Sequence, residues 1–166
     1  MAKGRFIPKN PAKYLGNPER IIFRSGWELR LFRWLDSTPA VLQWASEEFS
    51  IPYLHPFDGK IHQYYPDALV IYKDKYGNLQ KEIVEVKPYK ETVLTPRATD
   101  RDKLALAVNM AKWKFAADFA ATQGLKFRVI TEKSMFQHHH QQRAQANRAP
   151  VRRSLRAAAA AKTGAA

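Results

Sequence analysis

Apolar and polar positions alternate along this chain with two different periods, and the change of period marks the elements. Ala68-Leu69-Val70-Ile71-Tyr72 and Ile83-Val84-Glu85-Val86 are short runs of strand-forming residues. Between them, Lys73-Asp74-Lys75-Tyr76-Gly77-Asn78 is polar and supplies the glycine and asparagine of a tight turn. Residues 64–87 therefore read as an antiparallel hairpin. A turn centred near Tyr76–Gly77 makes paired residue numbers sum to about 153 or 154, which sets Asp67 opposite Val86 or Lys87. The period lengthens on either side of this hairpin. Leu31, Phe32 and Leu35 recur at helical spacing after Ser25, a good N-cap, and predict a helix over Gly26–Asp36. Thr99 and Gly124 bracket a longer helix from Asp100 to Gln123, with Leu104, Leu106, Val108, Met110, Trp113, Phe115 and Phe119 giving it a broad apolar surface. Lys103, Lys112 and Lys114 read as its solvated face. Val41–Trp44, Phe49–Tyr53 and Lys126–Thr131 are further strand candidates, with Pro56 and Asp58-Gly59 forming a turn beside His55 and His62. Either histidine could meet a substrate, although a surface or core role is the commoner outcome.

Side chains alternate along a strand, so Ile83, Glu85 and Lys87 share one face. Asp67, Glu85 and Lys87 then converge at the open end of the hairpin. Two carboxylates and a lysine there suit metal-dependent cutting of a phosphodiester. Mg²⁺ takes oxygen ligands and retains waters, so one or two carboxylates plus a phosphate suffice to hold it. A lysine beside it orients or deprotonates the attacking water, or pairs with the oxyanion. A charged strand end that resists aggregation is the plainer reading of the same residues. Glu28 carries two readings of equal weight. Ser25-Gly26-Trp27-Glu28 has the form of a capping box, yet Glu28 also lies three, four and seven residues before Leu31, Phe32 and Leu35, on the apolar stripe. Removing Glu85, at a strand end, is expected to change stability little.

Composition narrows the class. With 166 residues, 45% hydrophobic, and nine Phe, seven Tyr and four Trp, the chain has one substantial core. No apolar run approaches the roughly 20 residues of a membrane span. The opening MAKGRFIPKN lacks the apolar core of a signal peptide. Without cysteine, disulfides and thiolate metal sites are excluded. The net charge of +13 suits a polyanionic partner. Residues 137–166 hold Arg143, Arg148, Arg152, Arg153, Arg156 and Lys162 and no acid, while the body remains basic. His138-His139-His140 belongs to that polar tail, since consecutive side chains diverge. The organisation is an extended arm over 1–20, interrupted by Pro8, Pro11 and Pro18, a domain over 21–136, and a basic Ala/Arg-rich tail over 137–166. Phe6 and Tyr14 give the arm docking side chains, so it is expected to lie on this domain or on a neighbour. Both ends are expected to lack a core of their own and to become ordered against partner proteins or DNA.

The order helix, β-meander with Asp67 and Glu85-Val86-Lys87, long helix and strand resembles the PD-(D/E)xK nucleases. Glu28 in its Ser-Gly-Trp-Glu segment, Tyr65-Pro66-Asp67 and Ile83–Pro88 are similar to the N-terminal endonuclease domain of TnsA-type transposition proteins. Gly4–Pro11 and Tyr14-Leu15-Gly16 resemble still more the head completion nucleases of contractile-tailed phages. The resemblance covers about residues 4–132. It implies an α/β (α+β) restriction-endonuclease-like core, a mixed sheet flanked by helices. Asp67, Glu85 and the Val86 backbone carbonyl would bind Mg²⁺, with Mn²⁺ as a substitute; Glu28 would complete or orient the acidic site, and Lys87 would act on the attacking water. It implies further a nuclease acting on double-stranded DNA at the head–tail neck of a virion, made in the host cytoplasm and docked to neck, portal or head–tail connector proteins, with no membrane partner. A TnsA-like transposon endonuclease and a structural neck protein with a vestigial site are the rival readings.

Overall fold

The computed structural model describes residues 3–134. The chain divides into one unit ending at Ile130 and a second beginning at Thr131, of which Thr131–Ser134 is described as a single turn closed by the Ser134 amide on the Thr131 carbonyl. The expected tail over 137–166 lies outside the described residues.

The first unit is built on a four-stranded mixed sheet. Its strands are β3 (Val41–Ala45), β6 (Ala68–Lys73), β7 (Leu79–Val86) and β8 (Lys126–Ile130), side by side in that order. The β3/β6 and β6/β7 pairs are antiparallel, and β7/β8 is parallel. A parallel pair needs a crossover, and α2 (Asp100–Thr122) supplies it. α1 (Gly26–Ser37) precedes β3 and packs against it and β7, while α2 packs against β7 and β8. Two short ribbons complete the unit: β1 (Gly4–Arg5) with β2 (Ile22–Phe23), and β4 (Ile51–Leu54) with β5 (Ile61–Tyr64).

The central hairpin forms at the expected place with a different register. Ala68 faces Val84, where the sequence reading put it against Glu85 or Val86, so Asp67 comes level with Glu85. The turn explains the shift. Asp74 and Asn78 close the loop, Asp74 Oδ1 accepts from the amides of Tyr76 and Asn78, and Gly77 takes a φ of +87°. A loop of three residues ending in a left-handed glycine centres the hairpin on Tyr76, whereas a two-residue turn would have centred it later. Tyr64 also belongs to the β4–β5 ribbon rather than to the hairpin, and the chain crosses to β6 through Tyr65 and a fully buried Pro66.

Alternation along β7 sends Ile83 and Val84 to opposite faces, and both are buried. Ile83 packs with Ile51, Tyr53, Tyr64, Ala116 and Ala120 beneath α2. Glu82, also buried, is held by the Tyr72 hydroxyl at 2.6 Å and Arg128 at 2.7 Å, which accounts for it as a structural ion pair. α1 buries Leu31, Phe32 and Leu35 as its period requires. Phe32 meets Trp44, which is fully buried and is also contacted edge-on by Phe6 and Tyr14.

Phe6 and Tyr14 come from the arm, so of its two expected supports, this domain or a neighbour, it takes this domain, and the expectation that residues 1–20 become ordered only against a partner is corrected. The arm folds onto its own domain. Phe6 N–H donates to the Ile21 carbonyl and Leu15 N–H to the Trp44 carbonyl. The amides of Lys9 and Asn10 donate to the two carboxylate oxygens of buried Asp36 at 2.8 and 3.0 Å. Prolines limit the arm to the two-residue strand β1 and one 3-10 turn at Pro11–Lys13, and these bonds and two aromatic anchors order the rest.

Candidate active site

Asp67 stands at the mouth of β6, Glu85 near the end of β7, and Lys87 one residue past it. The three line one cleft of about 560 Å³ together with Tyr64, Arg24 and Lys112. The hairpin does the positioning. Asp67 Oδ2 accepts from the Val86 amide at 2.7 Å, which ties the first carboxylate to the strand that bears the second. Lys87 N–H donates to the Ile130 carbonyl, continuing the β7–β8 ladder past Val86. Lys87 Nζ lies 3.2 Å from Glu85 Oε1, and the Tyr64 hydroxyl donates to Glu85 Oε2 at 2.6 Å.

The electrostatics follow from burial. The Asp67 carboxyl is pushed well above the ordinary carboxylate range, first by burial and then by the charge of Glu85 and more weakly Glu28, against the pull of the Val86 amide and Lys87. Burial pulls the Lys87 ammonium down, but Glu85 and Asp67 outweigh it and hold its pKa above the ordinary lysine value. Burial and the neighbouring charge of Glu85 push the Tyr64 phenol up, so it stays a donor. Buried Glu85 raises the cost of a charge on Asp67, and the oxygens of both are hard donors of the kind a divalent ion such as Mg²⁺ or Mn²⁺ takes.

A carboxyl whose folded pKa is raised stabilises the fold through its protonated form; that contribution is complete below the unfolded value and is lost as pH rises through the folded one. In EDTA, lowering the pH from neutral toward the ordinary carboxylate range should therefore raise the melting temperature through Asp67. Asp67→Asn keeps an acceptor for the Val86 amide without the charge. Its melting temperature should exceed that of the native protein at pH 7, and the gap should close as pH falls. Calorimetry at several pH values checks both.

Glu28 makes its hydrogen bonds at the start of α1. Its amide donates to Ser25 Oγ at 3.1 Å, and its Oε2 accepts from the Arg24 amide at 2.8 Å, so it closes a capping box one residue earlier than the sequence form implies. It is half-buried and acts on Asp67 through its charge. Glu85 is 4% exposed, which corrects the expectation that removing it is structurally neutral. Its alanine variant would strip buried Tyr64 of a partner, a cost of about 1–3 kcal/mol.

Lys112, expected on a solvated helix face, faces the cleft instead. It is half-buried, with Nζ 5.7 Å above the Tyr53 ring and 6.0 Å above the Tyr64 ring. Burial and the charge of Lys87 push its pKa down, with Glu85 opposing. The clue was present in the sequence: Val108, Lys112, Ala116 and Ala120 form one row of residues four apart, and Ala116 and Ala120 are buried. Apolar residues on several faces of α2, including exposed Leu104, Met110 and Phe115, obscured that row. At the rim Arg24 pairs with Glu47 through two bonds of 2.8 and 2.7 Å.

The model of the TnsA-like endonuclease N-terminal domain matches residues 38–132. The chain belongs to the TnsA-like endonuclease family. The matched span contains Asp67, Glu85, Val86, Lys87 and Lys112, and begins after Glu28. The head completion nuclease of Enterobacteria phage T4 is 39% identical over 142 residues, covering 80% of this chain and 92% of the phage protein. The mixed sheet with its flanking helices is the fold that the sequence resemblance implied. This TnsA-like endonuclease has no described helix long and apolar enough to cross a membrane.

Proposed function

We propose that this protein is a metal-dependent nuclease that hydrolyses phosphodiester bonds of double-stranded DNA at the head–tail neck of a virion before the tail attaches. The observation that carries the reading is the convergence of Asp67, Glu85 and Lys87 in one cleft at the end of the β6–β7 hairpin. The near-complete coverage of a relative named as a head completion nuclease supports the neck, with portal and connector proteins as neighbours.

Asp67, Glu85 and the Val86 carbonyl would hold Mg²⁺, or Mn²⁺ in its place. When bound, such an ion makes its water more acidic and neutralises charge on the phosphoryl group. Asp67 is fixed by the Val86 amide and Glu85 by the Tyr64 hydroxyl, so both carboxylates present pre-set oxygens. Lys87, whose proton is held by its two acidic neighbours, donates to the attacking water or to the developing oxyanion. Glu28 contributes negative charge from outside the cluster and orients it only indirectly. Lys112 brings a second cation to the cleft, seated on two tyrosine rings, where it grips the scissile phosphate.

Supercoiled plasmid should be nicked or degraded in Mg²⁺ and left intact in EDTA. Cleavage undiminished by EDTA would overturn metal dependence. Lys112→Ala should slow cleavage by about 100-fold at saturating Mg²⁺, with folding retained. An unchanged rate would return Lys112 to a packing role.

A further inference from the structure

The β4–β5 ribbon carries a second cluster of ligating groups, chemically unlike the first. His55 directly follows β4, His62 lies within β5, and Asp58 sits in the loop joining them. The loop is pinned: His55 N–H donates to the Lys60 carbonyl, Gly59 N–H to the His55 carbonyl, and Lys60 N–H to Asp58 Oδ1. One ligand atom from each of the three residues falls within 4.8 Å of the others. The imidazoles stack with centroids 4.6 Å apart and planes 24° from parallel, so their nitrogens reach the same carboxylate. His62 Nε2 is 2.8 Å from Asp58 Oδ2, and His55 Nδ1 is 3.2 Å from Asp58 Oδ1. His55 Nδ1 is shut off from solvent and makes no hydrogen bond of acceptable geometry.

We infer that His55, Asp58 and His62 form a binding site for a borderline transition-metal ion, Zn²⁺ foremost, distinct from the all-oxygen site at Asp67 and Glu85. Two imidazole nitrogens and one carboxylate oxygen are a Zn²⁺ donor set, and the tetrahedron leaves its fourth position to water. Mg²⁺, which requires oxygen ligands, is discriminated against. The site braces a two-stranded ribbon, an element of marginal stability on its own. That ribbon ends in Tyr64, the residue whose hydroxyl holds Glu85. The ion thus stabilises the wall of the cleft without taking part in its chemistry.

The test uses the full-length chain bearing H138A, H139A and H140A, which removes the consecutive histidines of the tail as competing ligands, in buffer containing Mg²⁺. Titration calorimetry with Zn²⁺ alone should show one ion per chain. At 100-fold excess over its dissociation constant, Zn²⁺ should raise the melting temperature by about 5 °C or more. His62→Ala, at an exposed position, should weaken binding about 100-fold or more and abolish the shift. Asp58→Asn, which keeps an acceptor for the Lys60 amide, should weaken it as well, while Glu85→Gln should leave it unchanged. No Zn²⁺ bound, or binding retained in His62→Ala, would overturn the site and leave Asp58 as a hydrogen-bond partner of His62 alone. Loss of the Zn²⁺ site in Glu85→Gln would overturn its separation from the nuclease cleft.

Discussion

Glu85→Gln is expected to lower DNA cleavage by about a thousandfold or more, roughly 4 kcal/mol of barrier, in a protein that remains folded. Glutamine preserves an acceptor oxygen for the Tyr64 hydroxyl, which donates to Glu85 at 2.6 Å, and it preserves the buried volume. What it removes is the charge that faces Asp67 and Lys87. Without that charge the cleft would lose the anionic ligand proposed for the divalent ion, and with it the means to position that ion against the scissile phosphate. Repulsion on Asp67 falls while the ion pair with Lys87 is lost, so the metal-free variant should melt close to the native protein, and the rise on adding Mg²⁺ should shrink. Plasmid cleavage and thermal unfolding with and without Mg²⁺ separate the two effects. In the proposed neck role, incorporation into particles should persist, since Glu85 is buried. Full cleavage by folded Glu85→Gln would remove Glu85 from the active site.

Asp36→Ala should lower stability by roughly 3 kcal/mol or more, about 10 °C in melting temperature, with little change in cleavage by the protein that stays folded. Asp36 is 2% exposed, and its carboxylate receives the amides of Lys9 and Asn10. Alanine leaves both amides without acceptors and empties a buried space at the end of α1. Bonds from the Asn10 and Lys13 side chains to the Asp36 carbonyl remain, so the arm is loosened rather than lost. Loosening it also weakens the edge contacts of Phe6 and Tyr14 on Trp44. Limited proteolysis should cut within residues 3–20 of the variant well before the sheet. A melting shift within about 2 °C would show that the aromatic anchors alone hold the arm.

Local pattern determined the elements of this protein. Ser25 and Thr99 cap their helices, Gly124 follows the second, and the runs around Val70 and Val84 are strands, because capping and alternation are settled by residues within one or two turns of each other. The same alternation put Ile83, Glu85 and Lys87 on one face, and the expected hairpin brought Asp67 to the same end. Three things were left to tertiary structure. The hairpin register depended on whether the turn took two residues or three, which Asp74 decided by collecting the amides of Tyr76 and Asn78. The arm's destination depended on Asp36: its place four residues after Phe32 sets it on the buried stripe of α1, but which amides its carboxylate collects is decided by packing. Lys112 entered the cleft because α2 packs its row of small residues, Ala116 and Ala120, onto the sheet, carrying the lysine one turn earlier over Tyr53 and Tyr64. Side-chain burial across elements distant in sequence is a property of packing, and spacing along the chain does not encode which row of a broadly apolar helix will face the sheet.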